Sequence, residues 1–268
     1  MSRTRVCIIG ATGRLGKAIL REMNGDDFEL VGAIASRDNS NLGMKLESFG
    51  LANSGVRLVS PDSLNEAVEN ADVVISASNP AAEVENIPRV AEVEKRIVIG
   101  TTGFTADQYR AIKGAVEGKI PTIISSNFAI GMNFLYKVAE LTSSLPPQYQ
   151  ASIVESHHAG KVDSPSGTAY ALGEILSKAM GYSTIIHDRH SAGKRKKDEL
   201  EIFSRRVGGV PGIHEISIAG PYDMIRLEHI AFTRAAFAQG ALLAAKWLSK
   251  ISDPRIYTMG EVLSTPSN

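Results

Sequence analysis

Residues 6–9, VCII, form a short apolar run that breaks into Gly10-Ala11-Thr12-Gly13-Arg14-Leu15-Gly16 and continues as LGKAILREM, whose apolar positions recur at helical spacing. An apolar strand, a glycine turn and a helix in that order constrain this chain more than any other feature. Glycines at such a turn let backbone N–H groups approach a pyrophosphate, and the helix start adds further donors and a partial positive charge. The GxxGxxG spacing says little alone; its place between a strand and a helix, with more strand–helix alternation behind it, points to dinucleotide binding. The alternative is a glycine turn that serves only close strand–helix packing.

The alternation continues. Strands are predicted at 29–35, 56–59, 72–76, 96–100 and 121–125, with helices from Pro61, over 82–93 with a kink at Pro88, and over 106–118. Short apolar strands separated by helices predict a doubly wound parallel α/β sheet of the Rossmann type. After Asn127 the rhythm changes: a helix over 131–144, a Pro146-Pro147 break, a strand at 151–155 and a polar loop to Lys161. A helix is then expected from Pro165 to Met180, with Ser164 as its cap and Pro165 in its first position. Segments 200–207, 214–220 and 224–232 alternate with period two, as a sheet with one covered face does. The expected organisation is therefore a dinucleotide-binding domain over 1–127, completed by an apolar helix within 235–268, and a smaller α+β domain over 128–234.

Composition narrows the function classes. Lys+Arg and Asp+Glu both number 29 among 268 residues, so no global positive field draws the chain to nucleic acid or anionic membranes. The apolar run near the N-terminus is too short for a signal segment or a membrane span, and a cytoplasmic protein is the expectation. Cys7, the sole cysteine, lies inside an apolar run and reads as a buried thiol.

Cofactor choice is read at the end of the second strand. Ser36-Arg37 stands where an acid would hold a ribose 2′-OH, and a hydroxyl with a guanidinium suits a 2′-phosphate, so NADPH is favoured and NADH stays possible. Asp38 turned to the ribose, or Arg37 as a solvated loop charge, is the alternative. Gly100-Thr101-Thr102 and Ser125-Ser126-Asn127-Phe128 end two further strands at the same edge and are candidates to line the nicotinamide; plain turn chemistry competes. Ser76 to Pro80 holds the equivalent place on another strand.

The densest chemistry lies in ESHHAGKVDSPSGTA, Glu155 to Ala169. Two histidines titrate near neutrality, Lys161 carries a charge and a transferable proton, and Ser166, Gly167 and Thr168 open a helix whose N–H groups suit a carboxylate. A metal site from His157, His158 and Asp163 is the rival reading, though adjacent histidines on an extended segment point apart, and the preferred reading has no metal. Arg189, Lys194 to Lys197, Arg205 and Arg206 are candidates for a second carboxylate. From His157 to Arg206 there are nine Lys/Arg, six Asp/Glu and four histidines, a modestly cationic stretch suited to a small dianion.

These residues resemble the 4-hydroxy-tetrahydrodipicolinate reductase family of the diaminopimelate route to lysine. ESHHAGKVDSPSGTA is similar to that family's signature, and GATGRLG, IGTTGF, SNFAIGMN and FAQGALLAAKWL extend the likeness over nearly the whole chain. The resemblance implies His157 as acid/base residue, Lys161 as proton donor, and His158, Gly167 and Thr168 as substrate contacts. It implies cofactor contacts at Gly10 to Leu15, Gly100 to Thr102 and Ser125 to Phe128, closure of two domains about a hinge, and a homotetramer built on the second domain's sheet. The chain departs from the family pattern at Ser36, at the SASNP loop and at Ile213. Two other classes stay open on residues alone: another two-domain dehydrogenase of a small carboxylate, and an NADP-sensing regulator without catalysis.

Overall fold

The strand–helix alternation closes into a seven-stranded sheet of order β12-β6-β5-β4-β1-β2-β3, every pairing parallel. Its strands are β1 (Thr4–Ile9), β2 (Phe28–Ile34), β3 (Leu58–Val59), β4 (Val73–Ser76), β5 (Arg96–Ile99), β6 (Thr122–Ile124) and β12 (Ile256–Tyr257). The helices between them are α1 (Arg14–Glu22), α2 (Leu64–Val68), α3 (Pro80–Glu92) and α4 (Ala106–Val116). The structure, a computed structural model, describes residues 2–51, 55–187 and 194–264.

Strand β1 shows why the sheet is buried on both faces. Val6 and Ile8 enter one apolar cluster with Ile19 of α1, while Cys7 and Ile9 enter another with Leu64, Val68, Ile87 and Ile112. Burial pushes the Cys7 thiol up to about 12, which makes it inert as a nucleophile. Helix α7 (Ala235–Leu248) packs on the first face through Ala238, Ala241, Leu242 and Leu248. A Cβ on its Gly240 would lie 1.7 Å from the Phe128 carbonyl oxygen, so that approach requires glycine. The final helix, α8 (Met259–Ser264), adds Met259 and Val262 to this face.

The chain divides into two compact units, Met1–Ala129 with Arg234–Asn268, and Ile130–Thr233. The second holds α5 (Ile130–Glu140), β7 (Gln150–His157), α6 (Gly167–Met180), β8 (Thr184–His187), β9 (Glu199–Arg206), β10 (Ile213–Ala219) and β11 (Met224–Ile230). Its sheet has the order β11-β10-β7-β9-β8, antiparallel through β11, β10 and β7 and parallel from β7 to β8.

Several expectations shift. The strand foreseen at 56–59 is reduced to Leu58–Val59, and the short strands β8 and β12 carry too little apolar pattern to stand out in the sequence. The helix foreseen over 82–93 starts at Pro80, behind Asn79, whose side chain accepts from the Ala82 N–H, and it continues with Pro88 inside it. The helix expected from Pro165 with Ser164 as cap begins instead at Gly167. Ser166 is the cap, because its extended backbone lets Oγ accept from the Ala169 N–H at 3.2 Å, and the Ser164–Pro165 peptide before it is cis. No helix among the described residues is long and apolar enough to cross a membrane.

Candidate active site

Parallel pairing brings the C-terminal ends of β1, β2, β4, β5 and β6 to one edge of the first unit's sheet. The glycine turn, Ser36 with Arg37, and segments 76–79, 100–102 and 125–128 all follow those ends. Gly10 has φ +82°, and a Cβ there would meet the Ala77 carbonyl oxygen at 2.3 Å; a Cβ on Gly16 would meet the Gly10 carbonyl oxygen at 2.2 Å. The first and third glycines thus hold strand end, turn and helix too close for a side chain. Gly13 caps α1 without a side chain, and no acid stands in the first turn. Such a helix start suits an anion, and the turn fits the diphosphate of a dinucleotide.

The other residues foreseen on this edge differ in what they present. Ala11 is buried in the core, Leu15 packs against Gly100, and Thr12 Oγ1 accepts from Asn39 Nδ2 at 3.1 Å. Arg14, Ser36, Thr102 and Ser126 are exposed. Arg37 is exposed, with Nε paired to Asp62 at 2.9 Å and the guanidinium also bound to Glu85. Glu85, then Asp62, hold its pKa above the ordinary arginine value. The Thr101 hydroxyl turns inward to the buried Glu83, and the Phe128 ring lies in the core, so neither side chain is offered to a ligand. Ser125 Oγ donates to the Asn127 carbonyl at 2.7 Å and Asn127 Oδ1 accepts from the Ala129 N–H at 2.8 Å, which folds this segment on itself.

In the second unit the chemistry gathers on one sheet face. Register places Ile202, Ile153 and Ile216 in one row across β9, β7 and β10. The next row on that face is Ser204, Glu155, His214 and His229, and Arg206 pairs with His157 one step further. An apolar face therefore turns polar where the strands approach the start of α6. Glu155 is 0% exposed and is the hub. It accepts from His157 Nδ1, from Arg206 at 3.1 and 2.8 Å through two nitrogens, and from the Ser166 N–H at 3.2 Å. Burial alone would raise its pKa, but bonds from His157, Arg206 and Ser204 prevail and hold it at about 2.

This hub holds the His157 ring by its Nδ1, so Nε2 is the ring nitrogen that lies outside the hub. A Cβ on Gly212 would lie 3.2 Å from that Nε2, so glycine keeps the space above it open. His214 packs edge-on at 5.1 Å between ring centroids, and its Nε2 is 3.4 Å from Ser166 Oγ. Its pKa falls to about 3, chiefly through burial, with the charges of His157, His229 and Lys161 adding to the shift. Lys161 thus shares one electrostatic neighbourhood with His157, and its Nζ pairs with Asp163 Oδ1 at 2.7 Å. Of the groups foreseen for a carboxylate, Gly167 is exposed and Thr168 buried at the start of α6, His158 is half-buried, and Ser166 is the buried cap already bonded to Glu155 and Ala169.

The expected second-carboxylate residues divide further. Arg206 is taken by Glu155 and the Asp163 carbonyl, and Arg195 braces Gln150, Ala151 and Glu199. Arg205, Lys194, Lys196 and Lys197 are exposed, and Arg189 lies outside the described residues. Among the described residues no group of three His, Cys, Asp or Glu is placed to hold a metal. Glu155's role as hub, His214, His229 and Glu83 escape a reading of motifs. Their signal is the strand register and the burial of acids, which single segments do not display.

Known proteins resemble this chain over both of its halves. The family described as "Dihydrodipicolinate reductase, N-terminus" matches residues 4–128, and "Dihydrodipicolinate reductase, C-terminus" matches residues 131–263. The 4-hydroxy-tetrahydrodipicolinate reductase of Methanopyrus kandleri is 38% identical over 264 residues, 96% of each chain. That of Aquifex aeolicus is 38% identical over 266 residues, 97% of this chain and 98% of the relative. A dipicolinate-bound dihydrodipicolinate reductase from Paenisporosarcina sp. TG-14 superposes with a TM-score of 0.75 at 26% identity, over 98% of this chain and 100% of that one. With both halves matched in order and such relatives spanning the full length, the chain belongs to the dihydrodipicolinate reductase family.

Proposed function

We propose that this chain is an NAD(P)H-dependent reductase of 4-hydroxy-tetrahydrodipicolinate, acting through dihydrodipicolinate to give tetrahydrodipicolinate on the route to diaminopimelate and lysine. The observation that carries the reading is the His157–Glu155–Arg206 hub at the start of α6, in a chain of this family. The dipicolinate held by the Paenisporosarcina relative supports a small planar dicarboxylate as substrate.

On this reading the first unit holds the cofactor through Gly10 to Leu15, Ser36, Arg37, the backbone of 100–102 and residues 125–128. NADPH is preferred and NADH accepted; because Asp62 and Glu85 already neutralise Arg37, the preference is modest. When bound, a nicotinamide would supply hydride to the carbon distal from nitrogen in the conjugated C=C–C=N system. Charge then builds on nitrogen and the carbon beside the new C–H bond. Lys161 meets it with a proton, and His157, fixed through Nδ1, presents Nε2 to the substrate and orients it. His158, Gly167 and Thr168 take a carboxylate at the helix start, with Ser166 ordering that start. The second unit also carries assembly: edge strand β11 exposes Met224, Ile225 and Ile230, which supports a homotetramer built on this sheet. A cytoplasmic location completes the proposal.

The test is NADPH and NADH oxidation with the freshly formed condensation product of pyruvate and aspartate semialdehyde. Rapid oxidation of both, faster with NADPH, is expected. Tight cofactor binding without oxidation would leave a regulator, and activity only toward another imine or ketone would leave a different dehydrogenase.

A further inference from the structure

A second fully buried acid, Glu83, stands in the first turn of α3, far in sequence from the His157 hub and unused by the chemistry above. Four neutral donors converge on its carboxylate. Ser76 Oγ donates to both oxygens at 2.7 and 2.8 Å, Ser78 donates through Oγ at 2.9 Å and through its N–H at 3.3 Å, and the Thr101 hydroxyl donates as well. Thr101 Oγ1 in turn accepts from the Ser78 N–H at 2.9 Å. No Lys, Arg or His pairs with this acid among the described residues, in contrast to Glu155. A carboxylate taken from water into a protein interior is tolerated only when such donors replace the lost hydration, so this arrangement is a built one.

What it ties together is the ligand edge. Ser76 is the last residue of β4, Ser78 lies in the loop behind it, and Thr101 follows β5. Gly10 lies against this segment, since its Cβ would fall 2.3 Å from the Ala77 oxygen and 3.1 Å from Ser78 Cα. Gly100 would meet the Ser76 oxygen at 3.5 Å. One side chain from α3 therefore pins two strand-end loops beside the glycine turn.

We propose that Glu83 is a cofactor-positioning residue: it fixes the loops after β4 and β5 so that their backbone receives the nicotinamide half of the dinucleotide. This rests on the reading of the first unit as the cofactor module. Thr101 then acts through the loop conformation that its hydroxyl sets.

The experiment measures dissociation constants of NADPH, NADH and ADP-ribose by calorimetry for the wild type, Glu83→Gln and Thr101→Val, with melting curves as a folding control. Glu83→Gln replaces one carboxylate oxygen with an amide donor, so a hydroxyl that now donates there must turn to accept, and Thr101→Val removes one donor at nearly constant shape. Expected is about tenfold weaker binding of both nicotinamide nucleotides in each variant, by loss of the preorganised loop. ADP-ribose affinity should stay within twofold. A general loss of fold would weaken all three ligands alike, and Thr101→Val decides the matter if Glu83→Gln fails to fold. Unchanged nucleotide affinities, or equal weakening of ADP-ribose in a folded variant, would overturn the role of Glu83 alone. Absence of nucleotide binding by the wild type would overturn the cofactor reading and this inference with it.

Discussion

Two buried acids, one in each unit, mark opposite ways of building a functional edge. Glu83 is satisfied by hydroxyls and one N–H, and its effect is to hold loops still. Glu155 is satisfied by an arginine and a histidine, and its effect is to hold the His157 ring by its Nδ1. The first unit presents backbone and glycine turns to a ligand, as suits a dinucleotide shared by many chemistries. The second presents titratable side chains drawn from β7, β9, β10 and the start of α6. Holding and reacting are thus divided between different chemical materials, and substitutions in the two regions should fail in different ways.

The largest expected effect is that of Lys161→Ala. If the second unit carries the proton chemistry, kcat falls about a thousandfold while NADPH affinity is unchanged. Near-normal turnover with an unchanged pH profile would remove Lys161 as donor. Glu155→Gln comes next. It leaves Arg206 without its carboxylate and frees the His157 ring, so kcat should drop roughly a hundredfold, with the low-pH limb of the profile displaced. Stability should fall by about 3 kcal/mol, as when one partner of a buried pair is removed. A variant that loses stability but keeps kcat and pH profile would make the hub a fold element only.

A third effect is thermodynamic. His214 is buried neutral with a folded pKa of about 3 against an ordinary 6.5, so between those values the unfolded chain binds more protons and stability falls as pH falls. At pH 4.5 this loss is on the order of 2 kcal/mol relative to neutral pH. Melting curves of the wild type and His214→Gln from pH 7.5 to 4.5 should converge toward low pH; parallel curves would contradict the assignment. Glu155 adds to acid loss only lower, from its ordinary value of 4.5 down to about 2.

The smallest effect tests the first unit. Asp62→Asn with Glu85→Gln releases Arg37 and should raise the NADPH-to-NADH ratio of kcat/KM about threefold, since an unpaired guanidinium binds a 2′-phosphate better. An unchanged ratio would place Arg37 away from the adenosine ribose.

The same contrast explains what the sequence discloses. GATGRLG is local: its glycines, strand and helix are consecutive, so spacing alone announces the turn and the parallel sheet behind it. ESHHAGKVDSPSGTA is local too, and it exposes His157, Lys161 and the helix start, although Ser166 rather than Ser164 is the cap. What binds these residues is not local. Arg206 and His214 reach Glu155 only through the register of β9 and β10 on β7, fixed by which face is apolar over the whole sheet. Glu83 belongs to no motif, and its partners come from the end of β4 and the loops after β4 and β5, which are apart in sequence. Arg37 reads as a free phosphate ligand until Asp62 and Glu85 are seen against it.

The most direct test of the central claim follows a label. Reduction of the condensation product by NADPH carrying deuterium at the transferred nicotinamide C4 position, read by NMR of the product, should place deuterium on the carbon distal from nitrogen and a solvent-derived hydrogen on its neighbour. Deuterium on the C=N carbon instead, or none transferred, would contradict the account.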